Sequence, residues 1–119
     1  MSLKKSSINE LLNKKHIKGV VSELKATEIL LNHGLLVYKN VSPNGLIDII
    51  AIDEEGKVYL IDVKTISFRK KYDLPSIKEI RRSPTKQQRK LGVILMIIDG
   101  KSVRFSPARC DLSKKIKCQ

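Results

Sequence analysis

Asp48, Asp62 and Lys64 are the residues of this 119-residue chain that folding alone explains least well. They stand in LIDIIAI and VYLIDVKT, two otherwise apolar segments joined by the polar turn DEEG. Side chains alternate along a strand, so Asp48 shares a face with Leu46, Ile50 and Ile52, and Asp62 and Lys64 share one with Val58 and Leu60. An ionised carboxylate in such a setting is expensive unless it is paired or bound to a metal. If the two segments are neighbouring strands, both carboxylates reach a common divalent cation. Mg2+ takes oxygen ligands and keeps several waters, which fits Asp48, Asp62 and the backbone carbonyl of Val63. Lys64, on the same edge, then faces a nucleophilic water or a phosphate, where it can orient the water, lower its pKa or neutralise developing charge. Glu23, on a preceding helix, is the fourth candidate, ligating a second ion or holding a water in place. The ordinary alternatives are a salt bridge between Asp62 and Lys64 at a sheet edge, a strand cap or a pairing with Lys64 at Asp48, and a solvated helix position at Glu23, which shares its helix with Glu28.

The elements that must position these groups follow from patterning. After Gly19, VVSELKATEILLNHG carries a stripe of roughly helical period through Val20, Leu24, Thr27 and Leu31, closed by Gly34. Three strands are expected next, over Leu35 to Val41, Leu46 to Ile52 and Val58 to Thr65. The stretch ISFRKKYDLPSIKEIRRSP has two prolines and no clean period, and reads as an exposed loop with at most a short turn of helix. Thr85 is placed to cap a short helix KQQRKLG, followed by strands over Val93 to Ile98 and Ser102 to Phe105 around the turn DGK. The order is α-β-β-β-α-β-β. Residues 1–18 read as a basic arm or short helix, 19–106 as one domain, and 107–119 as a basic tail, frayed or weakly helical.

The length allows one compact core and not two. Twenty-four Lys and Arg against 12 Asp and Glu give a net charge of +12, a field that favours polyanions, nucleic acid first among them. From Arg69 to Lys90 nine basic residues face only Asp73 and Glu79. Arg69, Lys70, Lys71, Arg81, Arg82, Lys86, Gln88, Arg89 and Lys90 are the candidate DNA contacts, and a solvated charged loop is the plain alternative. The longest apolar run, VILMII, is a strand's length and far below the roughly 20 residues of a membrane span. With no secretory signal pattern, a cytoplasmic location is expected, at the nucleoid or in a phage-infected cell. Cys110 and Cys118, with only His16 and His33 as imidazoles, give neither a disulfide framework nor zinc spacing.

In order and context, G-x-x-x-E at Gly19 to Glu23, G-x-x-D at Gly45 to Asp48 and D-V-K-T at Asp62 to Thr65 resemble the PD-(D/E)XK nuclease superfamily, nearest to archaeal-type Holliday junction resolvases and related small phage and bacterial endonucleases. The resemblance covers about Lys18 to Phe105. It implies a restriction-endonuclease-like α/β core, a mixed central sheet flanked by helices, with Glu23, Asp48 and Asp62 as metal-binding catalytic acids and Lys64 as the catalytic lysine. It also implies Mg2+ as cofactor, with Mn2+ as a substitute, and an approach to the site by Lys86, Gln87 or Gln88. Three features depart from the pattern: Pro43 lies well before Asp48, the third-strand acid is Asp rather than Glu, and the basic stretch between Thr65 and Thr85 is not a signature of the superfamily. The expected activity is metal-dependent endonucleolytic cleavage of DNA, foremost four-way junctions in recombination and repair. The alternatives are a general, homing or restriction-like endonuclease and a non-catalytic nucleic-acid-binding protein. Two symmetric cuts in a junction call for a C2 homodimer. No DNA-reading motif is recognisable, so shape is the expected determinant.

Neutralising Arg81 and Arg82 together is expected to weaken DNA binding and to flatten its salt dependence by about 0.9 log–log units for each phosphate left without its cation. Titration of binding against salt concentration measures both effects.

Overall fold

The computed structural model describes residues 14–42, 45–65, 67–70, 77–80, 84–100 and 102–117. A five-stranded mixed sheet carries the structure, in the order β1 (Leu36–Lys39), β2 (Ile49–Ile52), β3 (Val58–Thr65), β6 (Val93–Asp99) and β7 (Ser102–Ser106). Strands β1, β2 and β3 run antiparallel in succession, β6 joins β3 in parallel, and β7 returns antiparallel to β6. Helices flank the sheet: α1 (Lys14–Asn32), α2 (Lys86–Leu91) and α3 (Asp111–Lys117). The protein is therefore α/β with a mixed sheet. No helix among the described residues is long and apolar enough to cross a membrane.

The core lies on one face of the sheet. Ala26 and Leu30 of α1 and Leu112 and Ile116 of α3 are buried with Ile49, Ala51, Tyr59, Ile61, Met96, Ile98 and Phe105. These strand positions alternate, as a half-buried sheet requires. The hairpin between β2 and β3 is tied by Asp53. One carboxylate oxygen accepts from the N–H groups of Glu55 and Lys57, and the other accepts from the Tyr59 hydroxyl at 2.9 Å. Burial, and then the bond to Asp53, push the Tyr59 hydroxyl up to about 12. Gly56 takes a positive φ of 83° in this turn, where an L side chain would be strained.

Four expectations are corrected. Among the described residues helix α1 spans Lys14–Asn32 and runs through Gly19, so the boundary at residues 18 and 19 falls inside a helix. Nothing crowds Gly19, and one exposed helical glycine costs only about 1 kcal/mol. Strand β2 begins at Ile49, leaving Asp48 one residue outside it, although the Asp48 N–H still bonds the Ile61 carbonyl at 2.8 Å. The stretch after Thr65 contains a separate antiparallel ribbon, β4 (Ser67–Lys70) with β5 (Ile77–Ile80), where a loop was expected. Arg69 and Lys70 belong to β4, while Lys71, Arg81 and Arg82 lie outside the described residues. Finally, the C-terminal segment is not a frayed tail, because Leu112 and Ile116 are spaced four apart and enter the core.

Leu112→Ala is expected to cost about 2–5 kcal/mol of folding stability, the range for emptying a buried leucine site. Urea unfolding measures it, and a loss below about 0.5 kcal/mol would be that of a surface position.

Candidate functional site

The candidate site is built where β3 passes the entry to β2. Asp62 is buried in β3, and Lys64, two residues on, projects from the same side. The Lys64 ammonium lies 3.4 Å from the Asp62 Oδ2. Asp48 approaches from the loop before β2, accepting the Val63 N–H at 2.9 Å through Oδ2. Asp62 lies close enough to act on the Asp48 carboxyl. Two bare carboxylates so placed repel, and a proton or a cation relieves that repulsion. Asp48 is accordingly pushed up from 3.8 to about 6. Burial contributes most, then the side-chain contact with Asp62, with the like charges of Asp62 and Glu23 adding to it and the Val63 N–H opposing it.

Gln88 completes the cluster. Its side-chain nitrogen donates to the Asp62 Oδ2 and to the Leu46 carbonyl, both at 2.9 Å. Its side-chain oxygen accepts from the Thr85 N–H, and the Gln88 N–H in turn bonds the Thr85 hydroxyl, a capping box that starts α2. Gln88 is therefore buried with its donors and acceptor all used, tying α2, the Asp48 loop and Asp62 together. Of Lys86, Gln87 and Gln88, the fold brings in the last. The signal for it was present in the sequence: Thr85-x-x-Gln88 is itself a capping-box pattern.

Two further anchors were not read from the sequence. Asn40 bonds its own N–H to the Asp48 carbonyl at 2.9 Å, donates Nδ2 to the Ile47 carbonyl and accepts the Ser42 N–H, so it grips both ends of the loop that carries Asp48. A Cβ on Gly45 would lie 2.7 Å from Asn40 Nδ2, so a side chain there would displace the Asn40 amide. On the other side, the buried Ser22 hydroxyl is 2.7 Å from the Thr65 hydroxyl, fastening α1 to the end of β3 beside Glu23. Single polar residues in the sequence give no indication of such long-range partners.

Glu23, Asp48, Asp62 and Lys64 are thus gathered at one end of the sheet. Val63 contributes its N–H to Asp48. Lys86, Arg89 and Lys90 are exposed on α2, the helix that carries Gln88. Among the described residues, no group of three or more His, Cys, Asp and Glu side chains is arranged to hold a metal ion. The donor set is the Asp48 and Asp62 pair, with Glu23 close enough to act on Asp48 by its charge. Two hard oxygen donors that repel one another suit Mg2+ or Mn2+, which retain waters beside one or two carboxylates. No protein-family model, curated protein or solved structure matches this chain.

Because Asp48 is higher in the folded protein than its unfolded value of 3.8, the folded state holds that proton more tightly. Its contribution to stability is fully present below 3.8 and is lost as pH rises through about 6. In EDTA, Asp48→Asn is expected to exceed the parent in stability above that pH by on the order of 1 kcal/mol, solvent screening of this half-buried group included, and to match it in acid. Thermal unfolding across the pH range measures the difference.

Proposed function

We propose that the chain is a Mg2+-dependent endodeoxyribonuclease, with four-way DNA junctions as its foremost substrate. The observation that carries this reading is the Asp48 and Asp62 carboxyl pair with the Lys64 ammonium 3.4 Å from Asp62. A purely structural ion pair would need one acid for one base. Here a second carboxyl stands beside the first, and its pKa is raised by burial first and by that neighbour next, an arrangement typical of groups that handle protons or cations.

Asp48 and Asp62 would hold the cation, and Mg2+ bound there supplies positive charge at the scissile phosphate and a water of lowered pKa. The chain's own groups then divide the remaining work. Gln88 fixes the rotamer of Asp62 through one N–H and leaves that carboxyl's other oxygen free of it. The Val63 N–H does the same for Asp48. Lys64, less than half exposed, places a fixed positive charge where negative charge accumulates as the phosphodiester is attacked. Glu23 adds negative charge from α1 and increases the cluster's demand for a cation.

An acidic cluster repels DNA, so attraction must come from the surrounding +12 field. Lys86, Arg89 and Lys90 on α2 are the described basic residues beside Gln88 on that helix, and they would carry backbone contacts. Recognition by junction shape follows from backbone contact without a base-reading element.

An end-labelled four-way junction and a linear duplex of the same sequence, each with Mg2+ or EDTA, test the proposal. Paired, symmetric, Mg2+-dependent cuts confined to the junction are expected. Asp62→Asn and Lys64→Ala should each lower cleavage by at least about 100-fold, the scale for removing a positioned catalytic group, while junction affinity in Ca2+ stays near that of the parent. Full activity in Asp62→Asn would overturn the site assignment, and equal cutting of both substrates would replace junction specificity with general endonuclease activity.

A further inference from the structure

A second concave surface lies where β3 and β6 begin and β7 finishes, toward the opposite end of β3 from Lys64. It is a groove of about 700 Å3 lined by the end of α2 and by the turn that leads into α3. Its floor is apolar. The parallel pairing puts Leu60 beside Val93, Val58 shares a face with Leu60, and Leu91 of α2 joins them. Val58 and Leu91 are 53% and 52% exposed, so the floor meets solvent. Two cations line the same groove, Arg89 on α2 and Arg109 in the turn, both exposed and neither with a carboxylate partner among the described residues. Lys57 and Asp111 are also there, but they neutralise each other in an ion pair. The groove therefore offers apolar surface together with two uncompensated guanidinium groups.

That combination narrows the occupant. A phosphate backbone would satisfy the arginines and leave the apolar floor wet. A nucleobase would need an exposed ring to stack on, and the aromatic side chain lining the groove among the described residues, Tyr59, is buried with its hydroxyl bound to Asp53. A second copy of a +12 chain would bring more positive charge to a cationic groove. A small anion would keep much of its surface in water, because the walls at Arg89, Leu91 and Arg109 are exposed whereas small-molecule sites enclose their ligands. A polypeptide segment that alternates acidic and apolar side chains meets both demands: its carboxylates pair with the guanidinium forks, and its apolar side chains cover the floor. We infer that this groove docks an acidic, apolar segment of a partner protein, with Arg89 and Arg109 holding its carboxylates and Val58, Leu60 and Leu91 its apolar side chains. None of Asp48, Asp62 and Lys64 lines the groove, so the surface stands independently of the nuclease reading. Arg89 is also among the α2 cations proposed to meet DNA, which makes Arg109 the cation whose loss reports on the groove alone.

Fluorescence anisotropy of a labelled synthetic peptide alternating aspartate with leucine and phenylalanine tests the inference on the intact chain, without DNA. Saturable binding with a Kd on the order of 10 μM is expected, the scale of a contact smaller than a standard protein interface. Asparagine in place of the peptide's aspartates, or serine in place of its apolar residues, should weaken binding at least about tenfold, and so should Arg109→Glu and, separately, Val58→Ser in the protein. Both protein positions are exposed, so circular dichroism of the variants should match the parent. Cys110, a free thiol, lines the groove, and its alkylation rate in a Cys118→Ser background locates the ligand: the peptide should slow it. Absence of saturable binding would overturn the inference. So would binding that survives both substitutions or that the serine-containing peptide matches, which is general attraction to a +12 protein. Protection of Cys110 by single-stranded DNA and not by the peptide would assign the groove to nucleic acid, and protection that grows with protein concentration alone would assign it to a second copy; either overturns it. Because no cleavage is measured, an inactive protein that binds the peptide keeps this groove and loses the proposed activity, while a nuclease that ignores the peptide does the reverse.

Discussion

Two carboxyl groups brought near each other, Asp48 and Asp62, are the constraint on which the site depends. Left to solvent they would separate. The chain prevents this by fixing each from a different direction: Val63 N–H on Asp48, Gln88 on Asp62, and Asn40 on the loop that delivers Asp48 to the sheet. Gln88 does most, since its one side chain reaches Asp62, the Leu46 carbonyl and its own helix cap at once. A network with its partners in place is rigid, and the repulsion it maintains can be relieved by a proton or a cation.

The remainder of the fold offsets the free energy that this fixation costs. Burial on the core face, from Leu30 and Ala26 of α1 to Leu112 and Ile116 of α3, anchors β2 and β3 so that their ends cannot drift apart. The parallel pairing of β3 with β6 puts Asp62 in the interior of the sheet, beside Leu95, where burial makes an unpartnered charge costly. Acidic residues at one end of the sheet and 24 basic residues in the chain as a whole give the molecule two electrostatic characters, one local and one global.

Much of this was legible in the sequence where hydrophobic alternation was strong. Strands β3 and β6 were readable because VYLIDVKT and VILMIID are long and apolar, and the anomaly of Asp62 and Lys64 stood out against them. The β4 and β5 ribbon was not, because SFRK and IKEI carry too many charges for alternation to show. Lysines also masked α3, whose two core residues are only Leu112 and Ile116 in DLSKKIK. Gly19 suggested a break in α1 that a solvent-exposed helix turn does not require. Pairings between distant residues, such as Ser22 with Thr65 and Asn40 with Ile47, follow from three-dimensional closure and leave no local pattern.

The central claim is that the Asp48 and Asp62 pair is a divalent-cation site. Mn2+ soaked into crystals of the protein, located by anomalous scattering, tests it most directly. A peak within about 2.0–2.3 Å of a carboxylate oxygen from each residue is expected, the range of hard cations on oxygen ligands. A clear Mn2+ peak elsewhere, with no density between the two carboxyl groups, would overturn it.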